Sequence, residues 1–339
     1  MACTWHVLTS IGSTVNRQEV TNTVLGGGTN PYSLCLEIRM QDTNFITALC
    51  TPLDDTESID VAGLEAHIDD QLDHGINSLL AGGTMGFMQL LSMDSYRQLA
   101  EESVRLVRGR AELLVGVGDT STAATMARIR AVENLPVDGL VVLTPYLIPY
   151  TQSELIDYFT DLADQSKKPI YLYDLPRMTG TKLENSTVRI LSLHPNIHGI
   201  KCSDHFAVSR PLLSPRDEQF RVIIAQPTLL DVLLKAGVQE HLDGVFGFAP
   251  NWIGELQSAL EREDWFSVTK IQNQFNELLS AMQSFDASIF ATTTELLNLR
   301  GISGRMAPKP IRMLTAAEQE RFRSLPIIQQ AISQGAMDH

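Results

Sequence analysis

Two short apolar runs in this chain each close on a residue capable of covalent or proton-transfer chemistry. Pro169-Ile-Tyr-Leu-Tyr173 ends in a tyrosine, and Ile197-His-Gly-Ile-Lys201 ends, 28 residues further on, in a lysine. Each is preceded by a helix-like segment and runs into turn residues, so both are expected to be β-strands. In a parallel α/β sheet the chemistry sits where strands end, because the loops there vary while the strand holds its last side chain in place. A lysine at the end of an apolar strand is under pressure to shed its charge, since burial disfavours an ammonium. A neutral ε-amine adds to a ketone to give a Schiff base, and the iminium draws electrons from the neighbouring carbon. That electron sink permits carbon–carbon cleavage or formation beside a keto group if protons are shuttled, which a tyrosine hydroxyl can do through one oxygen. Taken alone, the pair also fits a plainer structure, with Lys201 snorkelling to solvent and Tyr173 filling the core.

A second candidate is the turn Gly82-Gly-Thr-Met-Gly-Phe87. Its backbone N–H groups and the Thr84 hydroxyl can converge on one point and hold a carboxylate, although an ordinary strand-to-helix turn has the same composition. Asp174, Asp204 and His205 near strand ends are better explained as solvated loop residues than as a metal site. Trp252 and Phe248 are expected to pack rather than to line a pocket.

The elements that would position these residues alternate in period. Strands are expected over 45–50, 76–81, 112–117, 139–144, 169–173, 197–201, 221–225 and 244–248. Amphipathic helices are expected between and after them, over 61–74, 92–110, 121–135, 151–166, 186–193, 228–236 and 252–262. Eight such units with short connections predict an α/β fold, a (β/α)₈ TIM barrel over 43–265. An open nucleotide-binding sheet would carry a G-x-G-x-x-G turn after its first strand, and none follows Phe45. Helices over 267–284, 287–299 and 316–334 have no strands between them and predict a C-terminal helical appendage over 266–339. Alternation along a barrel strand would turn Lys201, Gly199 and Ile197 to the same side, and likewise Tyr173 and Tyr171. Gly199 would then leave space beneath the lysine.

A formal net charge of −14 argues against nucleic acid as a general partner. Four scattered cysteines (Cys3, Cys35, Cys50, Cys202) form no metal or disulfide pattern and fit a reducing, cytoplasmic setting. No apolar run approaches the ~20 residues of a membrane span. Residues 1–42, rich in Thr, Asn and Gly around Leu25-Gly-Gly-Gly-Thr-Asn-Pro31, predict a flexible lead-in. Met40, immediately before the first strand, is a candidate for the true start.

Several motifs in order resemble one family. Thr51-Pro52, Gly83-Thr-Met-Gly86, Thr144-Pro-Tyr146, Tyr171-Leu-Tyr-Asp-Leu-Pro176 with Thr179-Gly180, Gly199-Ile-Lys201 and Gly244-Val-Phe-Gly-Phe-Ala-Pro-Asn251 are similar to the dihydrodipicolinate synthase/N-acetylneuraminate lyase family. The resemblance spans roughly residues 43–325. It implies a Schiff-base lyase or aldolase acting on pyruvate or another 2-keto acid, with Lys201 as the Schiff-base lysine and Tyr173 as the proton shuttle. Gly83, Thr84 and Met85 correspond to the loop that holds the keto-acid carboxylate, and the implied pocket extends to Tyr146, Phe246 and Gly247. It further implies a homotetramer that needs neither metal nor organic cofactor.

Departures from the family pattern bear on the substrate. Met85 stands where the family turn often has threonine and Phe87 where it has glutamate. Leu147 replaces the second tyrosine after Thr-Pro-Tyr. Met178 occupies the place of an arginine that holds the aldehyde partner's carboxylate in synthases, with Arg177 shifted by one. The lost hydroxyls and bidentate donor leave a more apolar second half-site. The expected reaction is therefore reversible aldol cleavage or condensation with a less charged aldehyde. A hydratase or dehydratase of the same family, including a synthase-like activity, and a catalytically silent keto-acid-binding protein are the alternatives.

Overall fold

The computed structural model describes residues 43–213 and 220–333. The lead-in over 1–42 and the candidate start at Met40 lie outside the described residues.

Eight parallel strands close into a barrel in sequence order. They are β1 (Asn44–Ala48), β2 (Ser78–Ala81), β3 (Glu112–Gly116), β4 (Gly139–Leu143), β5 (Ile170–Asp174), β6 (Ile197–Cys202), β7 (Arg221–Ile224) and β8 (Glu240–Asp243). Around and between them run α1 (Val61–Asp73), α2 (Met93–Val107), α3 (Thr122–Val132), α4 (Gln152–Gln165), the single turn α5 (Pro176–Thr179), α6 (Asn185–Leu191), the single turn α7 (Phe206–Ser209), α8 (Leu230–Lys235) and α9 (Pro250–Glu261). Four helices follow, α10 (Trp265–Gln283), α11 (Ile289–Leu299), α12 (Ala316–Arg323) and α13 (Pro326–Ser333).

The strands are apolar on both faces because both faces are covered. Ile46, Leu80, Leu114, Val141 and Leu242 fill the barrel interior, while Phe45, Leu79, Leu113, Leu140 and Ile200 pack under the helices. Side-chain caps define where several helices begin: Asp60 accepts from the Gly63 N–H at the start of α1, and Thr151 with Glu154 forms a reciprocal capping box on α4. The N-terminal end of the barrel is closed by an ionic network. Arg221 pairs with Glu112 and, at 2.9 Å, with Glu240, and also donates to the Tyr171 hydroxyl at 3.3 Å.

Four sequence expectations are corrected. The eighth strand is Glu240–Asp243, not 244–248, which form a turn and a 3₁₀ segment, Val245–Gly247. The apolar signal of Gly244-Val-Phe-Gly-Phe248 belongs to residues buried between barrel and helices, whereas the strand itself reads Glu-His-Leu-Asp, with one apolar residue in four. Ile197 does not share the inward face of Lys201. The β5–β6 register shifts after Ile170, so that Ile170 pairs with Ile197 but Tyr171 with Gly199, and Ile197 joins the outer core. Gly199 leaves no void: a Cβ there would stand 2.5 Å from the Arg221 carbonyl oxygen and 2.9 Å from the Tyr171 ring. The helix expected over 316–334 is two helices, interrupted before Pro326, whose ring cannot continue the first.

Candidate active site

β5 and β6 place Tyr173 and Lys201 side by side as register partners at the C-terminal mouth of the barrel. Both are buried, at 2% and 4% exposure. The Lys201 Nζ lies over the face of the Tyr173 ring, 4.0 Å from its centroid. The ring's quadrupole favours a cation there, so the resting lysine is held at the tyrosine instead of snorkelling outward. The Tyr173 hydroxyl is 3.1 Å from the Thr84 Oγ1, a hydrogen bond in which either oxygen is able to donate.

Thr84 reaches that position because the turn after β2 folds tightly. Gly82 has φ +61°, the left-handed region that glycine enters without steric cost. Gly86 backs onto β1's loop, where Thr51 Oγ1 donates to its carbonyl at 2.9 Å and would crowd an added Cβ at the same distance. Phe87 also adopts the left-handed region, φ +39°, and its buried ring meets Phe290 of α11 edge to face at 5.7 Å. Met85 packs on Gly244, whose missing side chain makes room for it. Tyr146 follows β4 and is half-buried. Burial, and then the Asp119 carboxylate, push its hydroxyl up to about 12, so it remains a donor at neutral pH.

The loops beside the pair are tied down by Lys182. It bridges Asp174 at the end of β5 and, at 3.1 Å, Asp204 after β6. Burial raises the Asp174 carboxyl despite Lys182 and the Leu183 N–H. Burial opposes the Lys182 ammonium, but the two carboxylates outweigh it and hold its pKa above the ordinary value. Two of the sequence's metal candidates are thus engaged in an ion-pair clamp. Among the described residues no group of three His, Cys, Asp or Glu side chains is gathered for a metal ion.

Of the residues expected at the site, Lys201, Tyr173, Gly83, Thr84, Met85 and Tyr146 lie at this mouth. Phe246 and Gly247 do not contribute side chains to it. Phe246 is 1% exposed and packs edge to face on Phe45, with Phe275 of α10 beyond it, and Gly247 backs onto His67. The family resemblance implied both as pocket residues, and the 3₁₀ turn after β8 carries them. Trp252 is fully buried against Phe275. Arg177 is exposed, and Met178 presents its side chain to solvent at the same rim.

Asp243, at the end of β8, was not singled out in the sequence. Burial raises its carboxyl, opposed by the Val245 N–H at 3.1 Å and by the charges of Lys201 and Arg177. It is the acid that feels the lysine. Its only sequence signal was a carboxylate just before Gly244.

A closed parallel barrel with a buried lysine, a tyrosine and a hydroxyl-bearing turn at its C-terminal mouth defines a (β/α)₈ enzyme of the lyase type. The chain belongs to the dihydrodipicolinate synthetase family, whose sequence model matches residues 41–330. It is 28% identical to the 4-hydroxy-tetrahydrodipicolinate synthase of Methanoculleus marisnigri over 284 residues, 83% of this chain and 97% of that protein. With the synthase of Exiguobacterium sibiricum identity is 29% over 239 residues, 70% of this chain and 82% of that protein. Among solved structures, the Ruminococcus gnavus sialic acid aldolase aligns with a TM-score of 0.79 at 16% identity, covering 87% of this chain and 98% of that one. The dihydrodipicolinate synthase from Aquifex aeolicus aligns with a TM-score of 0.77 at 19% identity, covering 87% and 100%. YagE from Escherichia coli, solved in complex with pyruvate, aligns with a TM-score of 0.75 at 22% identity, covering 85% and 98%.

Proposed function

We propose that this enzyme forms an iminium between Lys201 and the C2 carbon of pyruvate or another 2-keto acid, and reversibly cleaves or forms the bond between C3 of that acid and an aldehyde carbon. The carrying observation is the stack of three groups at one mouth: Lys201 Nζ over the Tyr173 ring, and the Tyr173 hydroxyl on Thr84. The amine adds to the ketone to give a carbinolamine. Loss of its hydroxyl as water, with a proton delivered by Tyr173, gives the iminium. In the cleavage direction the Tyr173 phenolate left by that transfer takes the proton of the C4 hydroxyl, the C3–C4 bond breaks to release the aldehyde, and its electron pair is taken up by the iminium as an enamine. Protonation at C3 and hydrolysis then release pyruvate. The Gly83–Thr84 turn holds the keto-acid carboxylate and fixes C2 beside the amine, making addition a positioned step.

The chemistry so written uses neither metal nor organic cofactor. A homotetramer in a reducing cytoplasm, with the barrel over 43–265 and a helical subdomain over 266–339, belongs to the same reading. Borohydride reduction in the presence of pyruvate should add one reduced pyruvoyl mass to the peptide bearing Lys201, and not in Lys201→Ala. An unmodified Lys201 peptide in the native enzyme would end the proposal.

Leu147 and Met178 bring neither a hydroxyl nor a guanidinium to this rim, which favours a second reading, in which the same iminium serves a dehydration or a binding role. Product analysis separates the readings, because only the lyase releases free pyruvate from a 4-hydroxy-2-keto acid.

A further inference from the structure

A cavity of ≈ 220 Å³ has Thr84 in its wall. Its walls include Phe87, Leu90, Leu143 and Met178 from the barrel loops and Phe290 from α11. Phe87 and Phe290, edge to face at 5.7 Å, form one aromatic corner. Its polar groups are few and neutral. Thr84 Oγ1 is bonded to the Tyr173 hydroxyl and Thr179 Oγ1 to the Leu175 carbonyl, Gln89 adds one buried amide Nε2 without a hydrogen-bond partner, and no Lys, Arg or His is among the described residues that line it. Because Thr84 is shared, the cavity adjoins the lysine–tyrosine pair.

We propose that this cavity receives the aldehyde half of the substrate, and that its occupant is an uncharged aromatic ring carried on C4 of a 4-hydroxy-2-keto acid. The inference rests on the iminium reading above and deepens it.

Size and polarity both point to a ring. An apolar cavity of about 150 Å³ is enough to bind benzene, so the space here fits one ring with a small substituent. Edge-to-face aromatic walls favour a third ring over an aliphatic chain of equal area. A carboxylate entering the same space would lose its hydration with no cation to replace it, and a polyhydroxylated chain would leave several hydroxyls unpaired. The Tyr146 hydroxyl at the cavity edge remains a neutral donor that can meet an aldehyde oxygen. The C-terminal helices thus set specificity as well as cover the barrel, since Phe290 comes from α11.

The experiment compares pyruvate release from four 4-hydroxy-2-keto acids bearing methyl, phenyl, carboxylate or trihydroxypropyl groups on C4, using the native enzyme and Phe290→Ala. The phenyl acid should exceed the carboxylate and polyhydroxyl acids in kcat/KM by about a hundredfold. Phe290→Ala should lower the phenyl-to-methyl ratio about tenfold, a selective change that general unfolding would not give. Borohydride trapping of pyruvate on Lys201 is run in parallel. If trapping succeeds but the phenyl acid is not cleaved, or the charged acid is preferred, the ring assignment falls and the iminium reading stands. If Phe290→Ala leaves the ratio intact and instead alters the oligomeric state, the cavity belongs to a subunit contact and the assignment falls as well. If trapping itself fails, both fall.

Discussion

The Nζ of Lys201 faces the ring of Tyr173, 4.0 Å from its centroid, while the hydroxyl of that tyrosine is engaged by Thr84. The amine therefore sits over the face of the ring and the phenolic oxygen at its edge. A carbinolamine formed on Lys201 would span the space between them, its hydroxyl directed to the phenol. In the proposed iminium mechanism the proton route would pass through the substrate, with Thr84 holding the phenolic end of it.

Removing the phenolic oxygen should leave the amine in place and stop the relay. Tyr173→Phe keeps the ring under Lys201 and should lower kcat for pyruvate release by about 10²–10⁴-fold. Pyruvate should still reach Lys201 on prolonged borohydride trapping, but slowly. Thr84→Val, which leaves the phenol but frees its orientation, should cost roughly ten- to a hundredfold. Single-turnover kinetics measure both, and equal trapping rates in native enzyme and Tyr173→Phe would remove Tyr173 from the relay.

Much of this arrangement was legible in the chain because the strand periodicity and the 28-residue separation of Tyr173 and Lys201 are local signals. Seven strands fell where apolar runs predict them. The eighth did not, because Glu240, His241 and Asp243 mask it: Glu240 faces Arg221 at the barrel's closed end and His241 stacks on Phe45. Those partners are 19 and 196 residues away in sequence, beyond any window of periodicity. Phe290 was invisible as a site residue for the same reason, since only the folded chain brings α11 against Phe87.

The ionic plug at the other end of the barrel gives a stability prediction. Arg221→Met would leave Glu112 and Glu240, each about a quarter exposed, facing one another without a cation. Losing one partner of such a network costs about 3 kcal/mol, the low end for buried pairs because water partly reaches this one. The thermal unfolding midpoint should fall by roughly 4–5 °C. Adding Glu112→Gln and Glu240→Gln to Arg221→Met should recover most of the loss, and a failure to recover would mean that packing of the arginine stem, not its charge, matters.

Gly199 sits two residues before the lysine, where β6 touches β7. Gly199→Ala would press its Cβ against the Arg221 carbonyl, a backbone atom that cannot swing aside, and against the Tyr171 ring. Overpacking of this kind costs about 1–3 kcal/mol. Because the strand must bow to relieve it, Lys201 moves with it. The expected result is a lower urea midpoint together with a lower rate of pyruvate trapping, whereas a stable variant with native trapping would show that β6 yields without moving its end.

Acid sensitivity should come from two histidines far from the chemistry. His67 and His241 are fully buried. Burial lowers each to about 4, opposed at His67 by Asp70 and at His241 by the Val238 carbonyl. At His241 the Nε2–H donates to the Val238 carbonyl, so protonation would put a charged N–H at an Nδ1 with no hydrogen-bond partner, whereas at His67 the Nε2 accepts from the Cys50 N–H, so protonation there would break that bond. Unfolded, both titrate near ~6.5. Between those values the unfolded chain binds more protons than the folded one, so stability is complete above about 6.5 and declines as pH falls towards 4. Each histidine accounts for up to about 3 kcal/mol of that decline. Carboxylates held low, such as Glu318 at about 2 under Arg312, act only below roughly pH 4.5, so the two windows are separable. Urea unfolding from pH 7.5 to 4.5 should show stability dropping in the native enzyme and a shallower slope in His67→Gln, His241→Gln and the double variant. A slope that all three variants share with the native chain would place the acid sensitivity elsewhere.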